Sequence, residues 1–276
     1  MLASFLLALR EGLEAALIIG IVLGALRKVR RADLAPAVWR GAISAVLVSL
    51  IAGVALTAFG LNLEGAAEQI FEGVAMLLAA AVLTWMIFWM QRQARRVQAG
   101  LETGVRQAAL ASGQGGLFSL AFIAVVREGI ELALFLAAAA FASGTQGTIT
   151  GGLIGLAAAA LLGWLLFASA IRLDLGQFFR ATGALLLLFA AGLVAHGVHE
   201  FNEVGWVPAV IEHVWDLNPV LDETSILGVM LKALVGYNGN PALTEVISYI
   251  AYVGAVALAL RGSGRKVPAV TAQASA

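Results

Sequence analysis

The chain has 276 residues, of which 61% are hydrophobic and only 12% are charged, and its formal net charge is zero. Because a soluble domain carries about 25% charged residues, this composition excludes an ordinary soluble protein and predicts an integral membrane protein. The absence of cysteine excludes disulfides, thiolate metal sites and cysteine-ligated iron–sulfur clusters.

Seven apolar stretches are long enough to cross a bilayer as helices, since a hydrocarbon core of about 30 Å requires roughly 20 residues. The N-terminus lacks the basic region of a signal peptide, so we expect it to be retained as the first membrane helix. The predicted fold is an all-α polytopic membrane protein with seven transmembrane helices in a single domain over residues 1–276. The predicted helices one to seven are residues 3–26, 38–60, 69–90, 117–142, 149–171, 178–200 and 243–260.

Basic residues concentrate in alternate connections, after predicted helices one, three and five and in the tail 261–276. Since basic loops stay in the cytoplasm, this pattern predicts an N-terminus outside and a C-terminus inside. The long connection 204–242 is then an outer loop. The basic residues in question are Arg27, Lys28, Arg30, Arg31, Arg40, Arg92, Arg95, Arg96, Arg106, Arg172, Arg180, Arg261, Arg265 and Lys266.

Predicted helix one contains the charged motif Arg10-Glu11-Gly12-Leu13-Glu14 about ten residues from its start. Ionisable groups at mid-membrane cost about 2.5–3.5 kcal/mol each on insertion scales. Spacings of three and four residues place the three charged side chains on one flank of a helix. The motif therefore predicts an internal ion pair with one carboxylate left over.

The outer start of predicted helix three carries Glu68 and Glu72, four residues apart and so on one helical face. This pair has two interpretations. The carboxylates either collect cations outside the membrane or form a solvated helix end.

Predicted helix four repeats the motif as Arg127-Glu128-Gly129-Ile130-Glu131, 117 residues after the first. Helix one is predicted to run inward and helix four outward. Two three-helix halves, about 1–100 and 113–204, are then inverted relative to each other. Transporters built in this way bind substrate near the midplane, where the halves meet.

The two motifs together hold four glutamates and two arginines, a formal charge of −2. Carboxylate oxygens suit hard cations, including ferric iron and, less selectively, divalent ions. We expect Gly12 and Gly129 to let helices one and four cross closely and bring the carboxylates together. The alternative is that each motif is a self-satisfied structural ion pair. The predicted mid-membrane metal ligands are Glu11, Glu14, Glu128 and Glu131, with Arg10 and Arg127 as motif partners.

The outer end of predicted helix six is the segment AHGVHEFNE, whose His196, His199, Glu200 and Glu203 form one helical stripe. Histidine and carboxylate together are a common ligand set for transition metals. The stripe predicts an outer site that passes cations to the midplane glutamates. The alternative is again a solvated helix end.

The two REGxE motifs lie within the segments LREGLEAALI and VVREGIE. Together with LTWMIFWM, IRLDLGQFF and AAGLVAHGVHEFNEVG, they resemble the oxidase-dependent iron permease family. That family includes the fungal high-affinity iron permeases and the bacterial Efe-system iron permeases, and the bacterial branch fits best. The resembling segments cover predicted helices one, three, four, five and six in the same order. The outer loop and helix seven carry little of this resemblance.

The resemblance implies iron uptake across the plasma membrane, here a bacterial inner membrane, with the REGxE glutamates taking part in transport. It implies iron as transported substrate, no cofactor, no enzymatic activity and no nucleic-acid partner. It also implies extracytoplasmic partners: a haem peroxidase and a cupredoxin-like or peptidase-like iron-binding protein in bacteria, or a multicopper oxidase in fungi. Such partners would oxidise ferrous iron, and the permease would move the ferric product.

Three other functions remain open. A carrier for another divalent ion, such as manganese or lead, is distinguished by competition uptake. An intramembrane metalloenzyme requires its ligands at one depth, whereas the predicted ligands divide between midplane and outer surface. A sensor that binds metal without moving it is distinguished by flux in sealed proteoliposomes.

Overall fold

The computed structural model describes residues 1–108, 113–168, 174–223 and 225–263. These residues are almost entirely helical and include no strand. The predictions for Arg172, Arg265, Lys266 and most of the tail lie outside the described residues. The helices are α1 (Leu2–Lys28), α2 (Ala35–Leu61), α3 (Ala66–Gln107), α4 (Gly113–Ser143), α5 (Thr145–Phe167), α6 (Leu175–Glu203), α7 (Ile226–Val235) and α8 (Leu243–Ser263), with a short 3-10 helix at Ala32–Leu34.

The prediction of an all-α polytopic membrane protein is confirmed. The count of seven membrane crossings stays a prediction. Two of the predicted crossings lie in α1 and α4, which have 27 and 31 residues and each contain the three charged side chains of a REGxE motif. Within the described residues, five helical segments are long and apolar enough to span a membrane: Ala32–Gly60, Ala66–Met90, Thr145–Phe167, Leu175–Glu203 and Leu243–Arg261.

Most helix ends lie within four residues of the predicted ones, and two differences are larger. Predicted helix three was expected to end at residue 90, but α3 continues to Gln107. Hydropathy reports where a helix leaves an apolar solvent, whereas arginine, glutamine, alanine and leucine continue a helix readily in water. The predicted outer loop contains the ten-residue helix α7, which begins where the Ser225 hydroxyl accepts from Gly228 N–H at 3.0 Å and ends at the left-handed Gly236.

Helices α1 and α5 lie side by side in parallel, in contact through glycines of α5. A Cβ atom at Gly151 would collide with the Met1 carbonyl, and one at Gly163 would lie 2.8 Å from the Ala16 methyl carbon. Residue numbers therefore rise together along the two helices. The absence of a side chain at these positions is what allows the close approach.

Helices α2 and α4 repeat this packing at equivalent positions. A Cβ atom at Gly41 would collide with the Phe118 carbonyl, and one at Gly53 would lie 3.2 Å from the Ala133 methyl carbon. The α2 glycines precede their α5 counterparts by 110 residues, and the α4 residues follow their α1 counterparts by 117. The contact between α1 and α5 and the contact between α2 and α4 therefore involve equivalent positions of the two halves.

Helices α3 and α6 pack against each other in antiparallel fashion. A Cβ atom at Gly73 would lie 3.1 Å from the Gly197 carbonyl oxygen, and one at Gly183 would lie 3.6 Å from the Ile87 side chain. Gly183 follows Gly73 by 110 residues, and Ile87 precedes Gly197 by 110 residues, so the two contacts occupy equivalent positions. These repeated contacts relate α1–α3 to α4–α6 by an approximate two-fold axis.

The two halves are inverted relative to each other. Only Gly144, at φ 92°, separates α4 from α5, so these two helices form an antiparallel hairpin. Because α1 is parallel to α5, α1 is antiparallel to α4, as the inverted repeat predicts. The main core lies between α1, α3, α4 and α6. The peripheral α2, α5 and α8 expose apolar side chains such as Leu50, Ile154 and Leu258, as a lipid-facing surface requires.

Candidate metal site between α1 and α4

Three glutamates of the two REGxE motifs meet inside the helix bundle. Glu11, Glu128 and Glu131 each offer a carboxylate oxygen, and these oxygens lie within 4.8 Å of one another. Glu11 and Glu128 are each only 1% exposed. No other group of three or more acidic or histidine ligands was found at this spacing among the described residues. The geometry suits one cation coordinated by three carboxylate oxygens.

The first motif forms the ion pairs that its spacing predicts. Arg10 is 1% exposed, and its Nη2 lies 3.3 Å from Glu14 Oε1 while its Nη1 lies 3.6 Å from Glu11 Oε1. Arg10 Nη2 also donates to Met90 Sδ at 2.9 Å. Glu14 is therefore held by Arg10 and lies outside the three-glutamate group.

The second motif has equivalent pairs in a different environment. Arg127 Nη2 lies 2.5 Å from Glu128 Oε1, and Arg127 Nε lies 3.6 Å from Glu131 Oε1. The guanidinium lies 5.3 Å from the ring centroid of Trp89, a cation–π contact. The Arg127 side chain is 49% exposed. The two arginines thus occupy equivalent positions but differ sharply in burial.

Several carboxylate oxygens of the group make no hydrogen bond with the described residues. They are both oxygens of Glu11, Oε2 of Glu128 and Oε2 of Glu131. Buried charged oxygens without partners carry a large desolvation cost, which ion pairs at 3.6 Å offset only in part. A cation bound between the three carboxylates would supply the missing partner, so the ligand set fits a hard metal ion.

The motif glycines do not bring α1 and α4 together, and that expectation was wrong. A Cβ atom at Gly12 would lie 2.8 Å from the Ala159 methyl carbon on α5. A Cβ atom at Gly129 would lie 2.6 Å from Ser49 Cβ on α2. Each glycine faces away from the opposite motif because the carboxylates of the same helix occupy the α1–α4 face. Gly12 and Gly129 instead seat each motif helix against a helix of the other half.

A cavity of about 600 Å³ between α1, α2, α4 and α5 reaches Glu11 and Glu128. Apart from these carboxylates, its lining consists of apolar residues and glycines with a few hydroxyls, such as Ser49, Thr57 and Thr148. Such a lining offers a hydrated cation few ligands. The lining of this cavity therefore does not indicate an ion pathway.

The structure brings together the predicted outer residues of α3 and α6. Gln69 Nε2 donates to Glu203 Oε2 at 3.0 Å, and a Cβ atom at Gly73 would lie 3.2 Å from Glu200 Cβ. Glu68 and Glu72 interact electrostatically with Glu200 across this contact. His196 Nδ1 instead lies 3.0 Å from the Gly192 carbonyl oxygen within α6. His199 Nε2 lies 3.7 Å from Glu203 Oε1.

Glu245 is a buried partner of this outer cluster that sequence reasoning missed. It is 2% exposed, and its Oε1 lies 3.0 Å from His199 Nδ1. It lies in the first turn of α8, a helix to which the sequence assigned no role. The available signal was the acidic residue itself, at the start of an otherwise apolar helix.

Two inverted three-helix halves that meet at buried carboxylates define a multi-pass membrane protein of the transporter class. The family model described as "Iron permease FTR1 family" matches residues 1–263. The chain belongs to this family, which places it among permeases rather than enzymes.

Known relatives also resemble the chain over most of its length. Proteins named ferrous iron permease EfeU from Escherichia coli O157:H7 and Shigella sonnei are each 35% identical over 255 residues, covering 92% of both chains. The protein of that name from Yersinia pestis is 34% identical over 256 residues, covering 92% of this chain and 90% of its own length. No solved structure matches the chain.

Proposed function

We propose that this protein carries iron across a bacterial inner membrane by way of the carboxylate group of Glu11, Glu128 and Glu131. The observation that carries the proposal is the meeting of these three ligands, from two inverted helices, with oxygens that lack hydrogen-bond partners. The relatives named as ferrous iron permeases support iron as the substrate. Glu14, paired with Arg10, serves as a fourth carboxylate close to the site.

The ion moved is ferric iron. An all-carboxylate ligand set favours the harder ferric ion over the ferrous ion. The relatives' name specifies ferrous iron, and both facts are accommodated if an extracytoplasmic oxidase or peroxidase oxidises ferrous iron before transfer. An iron-binding partner outside the membrane would deliver the product to the permease.

Transport follows from the inverted architecture. With the N-terminus outside, iron reaches the outer ends of α3 and α6 first, where the predicted outer ligands lie. It then moves to the midplane carboxylates and is released inward when one half rocks against the other. The outer ligands are Glu68, Glu72, His196, His199, Glu200 and Glu203.

Radio-iron uptake into sealed proteoliposomes tests the proposal. The variants Glu128→Gln and Glu131→Gln keep the side-chain volume but remove the charged ligand. We expect uptake to fall by roughly 100-fold or more, since mutation of a residue that only orients a metal ligand already lowers affinity or activity by about 10- to 100-fold. Glu64→Gln, in the exposed α2–α3 connection, is the matched control and should transport normally.

Normal uptake by both midplane variants would refute the site. Comparing ferrous with ferric iron in the same liposomes tests the oxidation state separately, because only the ferric ion should be moved without an added oxidase.

A further inference from the structure

We propose that His199 and Glu203 form a capture site for a transition-metal cation, and that buried Glu245 orients the histidine. The inference deepens the proposed function, on which it rests, by assigning the outer site to two of the predicted ligands. It adds a positioning residue from α8 that was not among the predicted ligands.

Glu245 is placed as a hydrogen-bond acceptor on both of its oxygens. Oε1 accepts from Ala242 N–H at 3.0 Å and lies 3.0 Å from His199 Nδ1, while Oε2 accepts from Asn238 Nδ2 at 2.8 Å. A carboxylate that receives donors on both oxygens is stabilised in its ionised form. His199 must then donate from Nδ1, which leaves the lone pair of the neutral ring on Nε2.

That free nitrogen faces a second ligand. His199 Nε2 lies 3.7 Å from Glu203 Oε1, too far for a hydrogen bond. Nitrogen and oxygen atoms at this separation can share one metal ion, because each bonds such an ion at about 2.0–2.2 Å. Gln69 donates to the other oxygen of Glu203 at 3.0 Å and fixes that carboxylate from α3.

A carboxylate that holds the far nitrogen of a metal-binding histidine is a recurrent arrangement in metal sites, where it sets the tautomer and the ring orientation. The burial pattern fits these roles. The His199 and Glu203 side chains are 42% and 49% exposed, whereas that of Glu245 is 3% exposed. Water can fill the remaining coordination positions, as a site that must release its ion requires. Glu200, on the same turn of α6, adds negative charge beside it.

The same contacts admit one competing interpretation, in which a protonated His199 bridges Glu203 and Glu245 as a structural clamp between α6 and α8. The clamp needs both carboxylates but binds no metal. The two interpretations therefore differ in what the variants do to metal affinity rather than to stability.

Cobalt binding to the purified full-length protein distinguishes them, because Co²⁺ bound to a histidine nitrogen gives a characteristic absorption band. The measurement uses the Glu128→Gln, Glu131→Gln background, which disables the midplane group. We expect Glu245→Gln to weaken Co²⁺ binding by roughly 10- to 100-fold and His199→Gln or Glu203→Gln to abolish the band. His213→Gln, at an exposed histidine in the outer loop, is the control and should bind normally.

Co²⁺ affinity unchanged in Glu245→Gln and Glu203→Gln, with lowered thermal stability, would overturn the proposal in favour of the clamp. Iron uptake separates this inference from the transport proposal. In the otherwise natural chain, Glu245→Gln should raise the half-saturating iron concentration and keep the maximal rate, whereas Glu128→Gln should lose the rate. If Glu128→Gln transports normally but the cobalt pattern holds, only the midplane assignment fails.

Discussion

Arg10 and Arg127 hold the same position in the two motifs and show how strongly burial changes the role of one residue type. Arg10 is enclosed and is the cation nearest to Glu14 and Glu11. Arg127 makes equally short pairs, but half of its side chain is exposed beside Trp89. Removing one member of a buried ion pair leaves an uncompensated charge, whereas solvent compensates an exposed one.

This difference predicts unequal effects of the two arginine-to-alanine changes on stability. Arg10→Ala should lower the free energy of unfolding by about 3–5 kcal/mol, the range for a broken buried pair. Arg127→Ala should cost clearly less, because the Arg127 side chain is 49% exposed and water can fill the space that it leaves. Thermal unfolding in detergent, compared with the natural protein, measures both. Equal losses for the two variants would contradict the asymmetry.

At the scale of helices, the sequence predicts contacts along one helix better than contacts between helices. The spacing of Arg10 and Glu14 predicts their ion pair, and the structure forms it. Which helix Gly12 touches depends on non-local packing, which spacing within one helix does not encode. For the same reason Glu245 gave no sign of its partner His199, 46 residues earlier.

The contact between Gly12 and Ala159 predicts that a second substitution restores stability lost through the first. Gly12→Ala places a methyl group 2.8 Å from the Ala159 methyl carbon, and overpacking of this kind typically costs about 1–3 kcal/mol. Changing Ala159 to glycine in the same chain should restore most of the loss. Thermal unfolding of the single and double variants measures the coupling.

Gly24→Ala is the matched control on the same helix, because nothing lies within 4 Å of a Cβ atom there. It should be neutral or slightly stabilising, since alanine favours helix more than glycine does. If the double variant of Gly12→Ala and Ala159→Gly is no more stable than Gly12→Ala alone, these two residues are not in contact.

For the whole molecule, the repeated contacts predict two equivalent halves, yet the halves differ at the motif helices. Leu13 on α1 is fully buried, in a cluster against which Phe178 and Phe179 of α6 pack. Its counterpart Ile130 on α4 is 49% exposed, beside the exposed Arg127. Ionisable residues within a membrane almost always face the protein interior or water. We therefore expect the stripe of Arg127 and Ile130 to border an aqueous opening.

The lack of natural cysteine makes this opening testable without background. In open membrane fragments, Ile130→Cys should react quickly with a charged, water-soluble thiol reagent. Leu13→Cys should react slowly because it is buried, and Leu153→Cys should react slowly although it is 64% exposed, because it faces lipid on α5. Reaction at Ile130→Cys no faster than at Leu153→Cys would show that the stripe faces hydrocarbon.

The overall architecture was predictable because the REGxE repeat and the hydropathy pattern carry it directly. Helix ends that lie in polar sequence were not predictable from hydropathy, since α3 continues as helix beyond the apolar stretch that ends near Met90. Three of the four predicted ligands, Glu11, Glu128 and Glu131, lie together, and their binding of a metal stays a prediction. Arg10 lies 3.3 Å from Glu14 and 3.6 Å from Glu11, so the spacing of the motif does not determine that Glu14 lies outside that group.

Iron X-ray absorption of the purified, iron-loaded protein tests the shared carboxylate site most directly. In a background of His196→Gln and His199→Gln, which removes both predicted outer histidine ligands, the bound iron should show oxygen neighbours without the scattering pattern of an imidazole ring. Adding Glu11→Gln, from the opposite half to Glu128 and Glu131, should release the iron. An unchanged amount of bound iron with an unchanged spectrum would contradict a site shared between α1 and α4.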